Sequence, residues 1–337
     1  MSKKTGYFKR YAMTLLFPLG MYAVFALITL IIGNASFFTG YTTEGIIHDT
    51  VENTIIALAI AIPLSGGRWD FGPGAIIMLG AIIGGNLGMQ LHMGTFGVLL
   101  CCVGACMMLA LIEAVFYVTL RVPNMIISMG IVMVYEAVSG LLNNGLGVNF
   151  FANDTEYTQE LLRMNQFPLI YILLIVVMAV TWFLLYKTKF GYEIDCIGKQ
   201  WEFADAVGMH VSRKIVVIFV VGGALAGIAG ATEILGVNYN FVNTFSANPG
   251  IGWDGFFVCI LAGSNPVGIL LFSIVFGALR YGALAAQTGL GVPLDLINII
   301  KSTLVLFMAI KLIGNNREAI ADFFGHIFHR SAVKKEG

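Results

Sequence analysis

Long apolar runs separated by short polar breaks constrain this chain more than any other feature. They fall at approximately 11–33, 53–65, 73–90, 96–119, 125–142, 168–186, 215–236, 252–263, 268–287 and 295–313. A run of about 20 apolar residues suits a helix that crosses a bilayer, where lipid offers no partner to a free backbone N–H or C=O. The breaks cannot build a soluble surface. Only 11% of the 337 residues are charged, against about 25% in an average soluble chain. The spacing predicts an all-α polytopic membrane protein of about ten transmembrane helices. No soluble domain fits between the runs, so 1–337 reads as a single transmembrane domain surrounded by membrane lipid. Energised work by such a chain needs another chain or an ion gradient. A net charge of 0 argues against nucleic acid as a partner.

Lysine and arginine orient the spans, because cytoplasmic loops carry an excess of both. With the N-terminus inside, the inner segments are 1–10, 66–72, 120–124, 187–214, 264–267 and 311–337. They hold sixteen of the nineteen cations, and the outer segments hold one, Arg163. Both termini are therefore expected in the cytoplasm, with 314–337 as a tail. The run 11–33 reads as a retained helix, since a cleavable signal has a shorter apolar core. The outer segments 34–52 and 143–167 carry Glu44, Asp49, Glu52, Asp154, Glu156 and Glu160. They read as polar loops open to an external partner.

Two spans are too short. Runs 53–65 and 252–263 rise about 18–20 Å as helix, against a hydrocarbon core of about 30 Å. Each ends in a Gly/Pro-rich turn, GGRWDFGPG at 66–74 and GSNPVG at 263–268. Interrupted helices persist in a membrane only beside protein or water, and they point to a transport path.

The loop 187–214 is the longest inner connection. Within it, Glu202 to Val207 has helix-forming residues, Lys199 and Gln200 precede it, and Gly208 suits a helix stop. Such a short inner-face helix fits a docking element for a soluble partner, with Ala204 expected at the close-packed contact.

Read together, FGYEIDCIGKQWEFADAVGMHVSRK and GGALAGIAGA resemble the permease subunits of binding-protein-dependent ABC importers of the ribose/galactose and nucleoside branch. GGRWDFGPGAIIMLGAIIGG is similar to that branch's GGIDLSVG segment. RVPNMIISMGIVMVYEAVSGLL and GWDGFFVCILAGSNPVGILLFSIVFGALRYG, followed by GVP, resemble further stretches in the same order, from about residue 50 to 313. Arg68-Trp69 and Pro73 depart from the first pattern, and Lys199-Gln200-Trp201 departs from the loop's usual turn. The resemblance implies uptake of a simple sugar or related polyhydroxylated solute, or of a nucleoside. It implies partners: an ATP-binding cassette ATPase docked on Lys199, Glu202, Ala204, Val207 and Gly208, an extracytoplasmic substrate-binding protein, and a second permease copy or paralogue. It also implies a multi-pass place in the bacterial plasma membrane.

Hydrogen-bonding and aromatic side chains near the short spans suit a path for a small neutral solute. They are Asn238, Asn240, Asn248, Trp253, Asp254 and Asn265, with Trp253 and Asp254 expected near the outer face and Asn265 on the inner side. The intramembrane charges Glu113, Glu136, Glu233, Arg280 and Lys301 read as structural pairs, for instance Glu136 with Arg280 or Lys301. An ion-coupled secondary transporter built on that pair is the competing reading. Cys102 and Cys106, one helical turn apart, read as small buried residues rather than metal ligands, and His326 and His329 as part of a solvated tail. The sequence has no phosphate-binding G-x-x-x-x-G-K-[ST], no H-E-x-x-H and no Ser/His/Asp set on one span. A transport subunit without a cofactor or metal of its own is expected, with ATP on the partner.

Overall fold

The polar residues before the first short run do not form a loop. In the computed structural model they belong to the same helix as that run, α1, Gly40–Ser65, 26 residues long. The structure describes residues 40–120, 122–142, 148–149, 169–237, 240–241, 252–290, 299, 302 and 303. The expected spans 11–33 and most of 295–313 lie outside the described residues. Contacts divide the chain into two units, Phe38–Ala278 and a second formed by Met1–Phe37 with Leu279–Gly337. The unit Phe38–Ala278 holds every described helix from Gly40–Ser65 to Trp253–Ala262.

After α1 come α2 (Pro73–Gln90), α3 (Gly94–Leu120) and α4 (Asn124–Leu141). The next helices are α5 (Leu169–Lys187), α6 (Lys189–Lys199), α7 (Trp201–Ala206) and α8 (Val211–Thr232), which runs into a π-helical turn at Glu233–Val237. The helices α9 (Trp253–Ala262) and α10 (Pro266–Leu290) complete the order. A two-residue antiparallel ladder pairs β1 (Val148–Asn149) with β2 (Asn240–Phe241), Val148 opposite Phe241 and Asn149 opposite Asn240. Among the described residues six helices are long and apolar enough to cross a membrane.

Helix α1 corrects the expectation of a short span at 53–65 and, over 40–52, that of a polar loop at 34–52, whose first residues lie outside the described ones. His48, Asp49, Thr50, Glu52, Asn53 and Thr54 are all buried. Asp49, Thr50, Asn53 and Thr54 form hydrogen bonds along the helix itself. The Thr50 hydroxyl donates to the Ile46 carbonyl at 2.7 Å, the Thr54 hydroxyl donates to the Thr50 carbonyl at 2.6 Å, and the Asn53 amide donates to Asp49 Oδ2 at 2.9 Å. Side chains that return a hydrogen bond one turn back can be buried without water. The helix is enclosed because α5, α8, α9 and the π turn all pack on it.

Helix α9 keeps the shortness read from the sequence. Its ten residues rise roughly 15 Å, half a hydrocarbon core. A Cβ built on Gly255 would run into Ile56 and Ala57, so α9 starts beside the middle of α1, not at its end. Gly263, at φ 61°, closes α9 in the left-handed conformation that glycine takes at little cost. Pro266 then opens α10 at the position where a missing N–H is harmless.

Small residues set the helix spacing. Gly80 and Gly84 of α2 face Cys106 and Cys102 of α3, and Gly223 and Gly227 of α8 face Ala110 and Val103. Without side chains at these points the backbones approach closely, the main source of helix association where apolar burial gives little drive. Gly227→Val should destabilise the chain by about 1–3 kcal/mol through overpacking. Gly104→Val, at a position with open space around it, should leave the detergent melting midpoint unchanged. Equal midpoints for the two variants would contradict the packing.

Candidate functional site at the junction of loop 66–72 and helix α9

The loop 66–72 is held at nearly every residue. Gly67, at φ 73°, lies against the backbone of Gly198, which ties the start of the loop to α6. The Arg68 guanidinium sits over the Tyr117 ring, 5.4 Å from its centroid, and Tyr117 stacks on Phe219 at 6.0 Å. The Asn124 amide donates to the Trp69 carbonyl at 2.8 Å, so α4 also pins the loop. The Gly72 N–H donates to Asp70 Oδ1 at 2.8 Å, a turn closed by an aspartate side chain, and Pro73 starts α2 in the next position.

Held this way, the loop presents two rings to α9. Phe71 lies 4.9 Å from Phe256 and 5.7 Å from Trp253 between centroids, and Trp69 meets Phe256 edge-on at 6.1 Å. Phe257 continues the cluster at 6.2 Å from Trp253. Offset and edge-on pairs at these separations each add about 0.5–1.5 kcal/mol beyond burial. Gly252, at φ 86°, brings the start of α9 against Gly74, where a Cβ would stand 2.7 Å from the Gly74 Cα. Only glycine satisfies both the angle and the approach. Between the two segments runs a narrow cleft lined by Ile60, Asp70, Phe71, Gly74, Trp253 and Phe256.

This junction corrects the expectation that loop 66–72 lies at the inner end and Trp253 at the outer end of a span. The sequence put loop 66–72 and Trp253 at opposite ends of a span, whereas the structure puts them in contact. Both dead-end partway along α1, the loop by turning back from Ser65 and α9 by starting late.

Behind the rings lies a pair of buried acids. Asp70 is 3% exposed and Glu113, on α3, is fully buried. A Cβ on Gly72 would strike the Glu113 carboxyl and stand 3.0 Å from Asp70 Oδ1, so glycine makes room for both groups. Burial pushes the Asp70 carboxyl up, to about 6, although the Gly72 N–H and the Glu113 side chain pull it the other way.

The second candidate element is the segment α6–α7. The Thr188 hydroxyl accepts from the Gly191 N–H and starts α6. Glu193 pairs with Lys214 of α8 at 2.6 Å, and Lys199 pairs with Asp195 at the surface at 2.6 Å. Helix α7 ends in a Schellman motif: the Gly208 N–H, at φ 89°, bonds the Asp205 carbonyl and the Met209 N–H bonds the Ala204 carbonyl. The expected short helix and its glycine stop are both present. Ala204, however, is fully buried among Ala114, Ile197, Val211, Ile215 and Phe219. It anchors α7 to the chain's own core and is not the outward contact expected of it. The outward residues are Trp201, Phe203 and Val207, 53%, 58% and 61% exposed, beside the exposed Glu202 and Lys199.

The family described as the branched-chain amino acid transport system / permease component matches residues 42–310. The chain belongs to this family. It is 29% identical over 195 residues to the guanosine ABC transporter permease protein NupP of Bacillus subtilis, covering 57% of this chain and 53% of that protein. It is 33% identical over 145 residues to the nucleoside ABC transporter permease protein NupB of Lactococcus lactis, 43% of this chain and 38% of that one. The galactose/methyl galactoside import permease protein MglC of Escherichia coli is 23% identical over 320 residues, 86% of this chain and 91% of that one. The alignments to the first two relatives thus span about half or less of their length.

In this permease-family chain the other residues singled out from the sequence are dispersed. Asn265 caps α10, its side-chain oxygen accepting from the Val267 N–H at 3.0 Å. Asp254 is buried in the first turn of α9. Asn240 stands in the two-residue ladder, while Asn238 and Asn248 lie outside the described residues. Glu136 is half-buried on α4 and Glu233 is buried at the start of the π turn. Arg280 lies on α10 in the other unit, and Lys301 lies outside the described residues. Trp69, Asp70 and Phe71 went unnoticed as site residues. Their signal was present: two rings flanking an acid, Trp-Asp-Phe, inside a Gly/Pro turn of an apolar chain.

The raised value of Asp70 fixes a sign. An acid at about 6 when folded, against its ordinary 3.8, contributes stability that is full below the lower value and lost as pH rises through the upper one. The detergent melting midpoint should fall across that window, and Asp70→Asn should flatten this part of the profile. An unchanged profile in Asp70→Asn would show that Asp70 does not titrate there.

Proposed function

We propose that the chain is the transmembrane permease subunit of an ABC importer in the plasma membrane. It forms part of the path for a simple sugar or related polyhydroxylated solute, with energy from separate ATPase subunits. The observation that carries this reading is the match to a permease-component family over residues 42–310. A chain without a phosphate-binding loop fits a subunit that borrows its energy. An extracytoplasmic binding protein would deliver the solute, and a second permease copy or paralogue would complete the path.

The outward rim of α7 supports the docking of an ATPase. Trp201, Phe203 and Val207 leave large apolar areas uncovered on a segment otherwise rich in charge. Aromatic residues at such a rim carry a large share of binding energy in protein interfaces. The Schellman turn and the buried Ala204 hold that rim rigid, so a push on α7 passes to α3 and α8 through the cluster around Phe219 and Ala114.

A nucleoside cargo is the second reading, favoured by the names of NupP and NupB and by the aromatic junction. Rings at 4.9–6.4 Å from one another offer faces for a sugar ring or a nucleobase. Competition by galactose and by guanosine for uptake in cells carrying the full transporter separates the two. Uptake that continues after ATP depletion and collapses with an uncoupler would instead favour an ion-coupled carrier.

Phe203→Asp should lower recovery of the ATPase with the detergent-solubilised chain about tenfold or more, the loss expected of an interface anchor, and leave membrane insertion intact. Ala204→Arg should lower the melting midpoint of the isolated chain, because it forces a charge into the core. Full ATPase recovery with Phe203→Asp would place the docking surface elsewhere.

A further inference from the structure

Glu113 lies at the bottom of a fully buried site, and no N–H or O–H of another described residue donates to either of its oxygens. The group it meets is the carboxyl of Asp70, across Gly72. Two carboxylates offer only acceptors, so a hydrogen bond between them requires a proton. Burial of two bare charges side by side would be far too costly to persist.

No neighbouring donor reaches either oxygen. Arg68, the cation of the same loop, lies over the Tyr117 ring, and its buried Nε has no hydrogen-bond partner among the described residues. On α4 the Tyr135 hydroxyl donates to the Leu109 carbonyl at 2.8 Å. On α3 the Cys106 thiol donates to the Ile76 carbonyl. The surrounding parts of α1, α2 and α8 contribute Ala59, Pro63, Ile76, Gly222 and Gly223, none of which titrates. The Gly72 N–H bonds Asp70, not Glu113. The anion is therefore better placed on Asp70, and the proton on Glu113.

We propose that Glu113 retains a proton and donates it to the Asp70 carboxylate, forming a carboxylic acid–carboxylate latch that fixes loop 66–72. Glu113 is then a positioning residue: through Asp70 it sets where Trp69 and Phe71 meet Trp253 and Phe256. Loss of the proton in alkaline medium puts two like charges in contact and frees the loop from α3, which disassembles the aromatic junction. The functional consequence rests on the permease reading, but the proton itself does not.

Two measurements test the latch. Infrared spectra of the full-length chain in lipid nanodiscs should show the carbonyl stretch of a buried, protonated carboxylic acid at neutral pH. That band should be absent in Glu113→Gln, whose amide supplies the N–H in place of the proton, and shifted in Asp70→Asn, where the Glu113 acid donates to a neutral amide oxygen instead of a carboxylate. In cells carrying the full transporter, Glu113→Ala should cut uptake about tenfold, the effect of leaving a buried acceptor unsatisfied. Glu113→Gln should retain uptake and lose the alkaline decline of the wild type. A wild-type spectrum without the band, or a band unchanged in both variants, overturns the latch. Superimposable pH profiles for wild type and Glu113→Gln overturn the positioning role. The spectrum needs no transport, so an error in the assigned cargo would leave it untouched.

Discussion

Everything in the unit Phe38–Ala278 depends on burying a helix that is half polar. The stretch His48–Thr54 could not face lipid, because each unbonded polar group there would cost several kcal/mol. It is admitted to the interior because Thr50, Asn53 and Thr54 return hydrogen bonds one turn back along α1, and because other helices enclose it. The enclosure in turn requires close backbone approach. Glycines on α2 and α8 permit it, and the apolar rings and methyl groups are left to α3, α4 and α5, which expose Phe116, Met133 and Phe183 on their outer faces.

With α1 at the centre, the two interrupted segments acquire a role. Loop 66–72 turns back from Ser65 and climbs beside α3. Helix α9 begins where Gly255 touches Ile56 and Ala57. Irregular backbone at that depth is tolerated because protein covers it: the Asn124 amide on the Trp69 carbonyl, the Gly72 N–H on Asp70. Rings fill the remaining space. The same loop reaches α6 through Gly67 and Gly198, so the aromatic junction and the α6–α7 segment are joined by a short run of backbone. A movement of α7, anchored by Ala204, has a direct mechanical route to Trp69 and Phe71.

Much of this was legible in the sequence, and the failures have physical causes. Spans such as 96–119 and 168–186 were read nearly to the residue, since helices with exposed outer faces must be apolar almost throughout. The α7 helix was legible from Gly208, because few residues adopt φ 89°. Helix α1 was misread because hydropathy reports solvent, and its first half is solvated by protein. Ala204 was assigned to the wrong side because a six-residue helix has no periodicity to orient it. Asp70 was overlooked because nothing in a single sequence reveals that Glu113, 43 positions later by number, returns to the same point. Trp253 and loop 66–72 were set at opposite ends because the charge count changes sides at every apolar run, the short run 252–263 included.

The meeting of loop 66–72 with the start of α9 is the central claim, and proximity tests it directly. Phe71→Cys and Trp253→Cys can be combined in a chain from which Cys101, Cys102, Cys106, Cys196 and Cys259 have been replaced, with a protease site engineered in the segment before α5. A short bifunctional thiol reagent should join the two new cysteines, so that the halves stay together after proteolysis until the link is cleaved. Halves that separate despite full modification of both thiols would place Phe71 and Trp253 apart and contradict the junction.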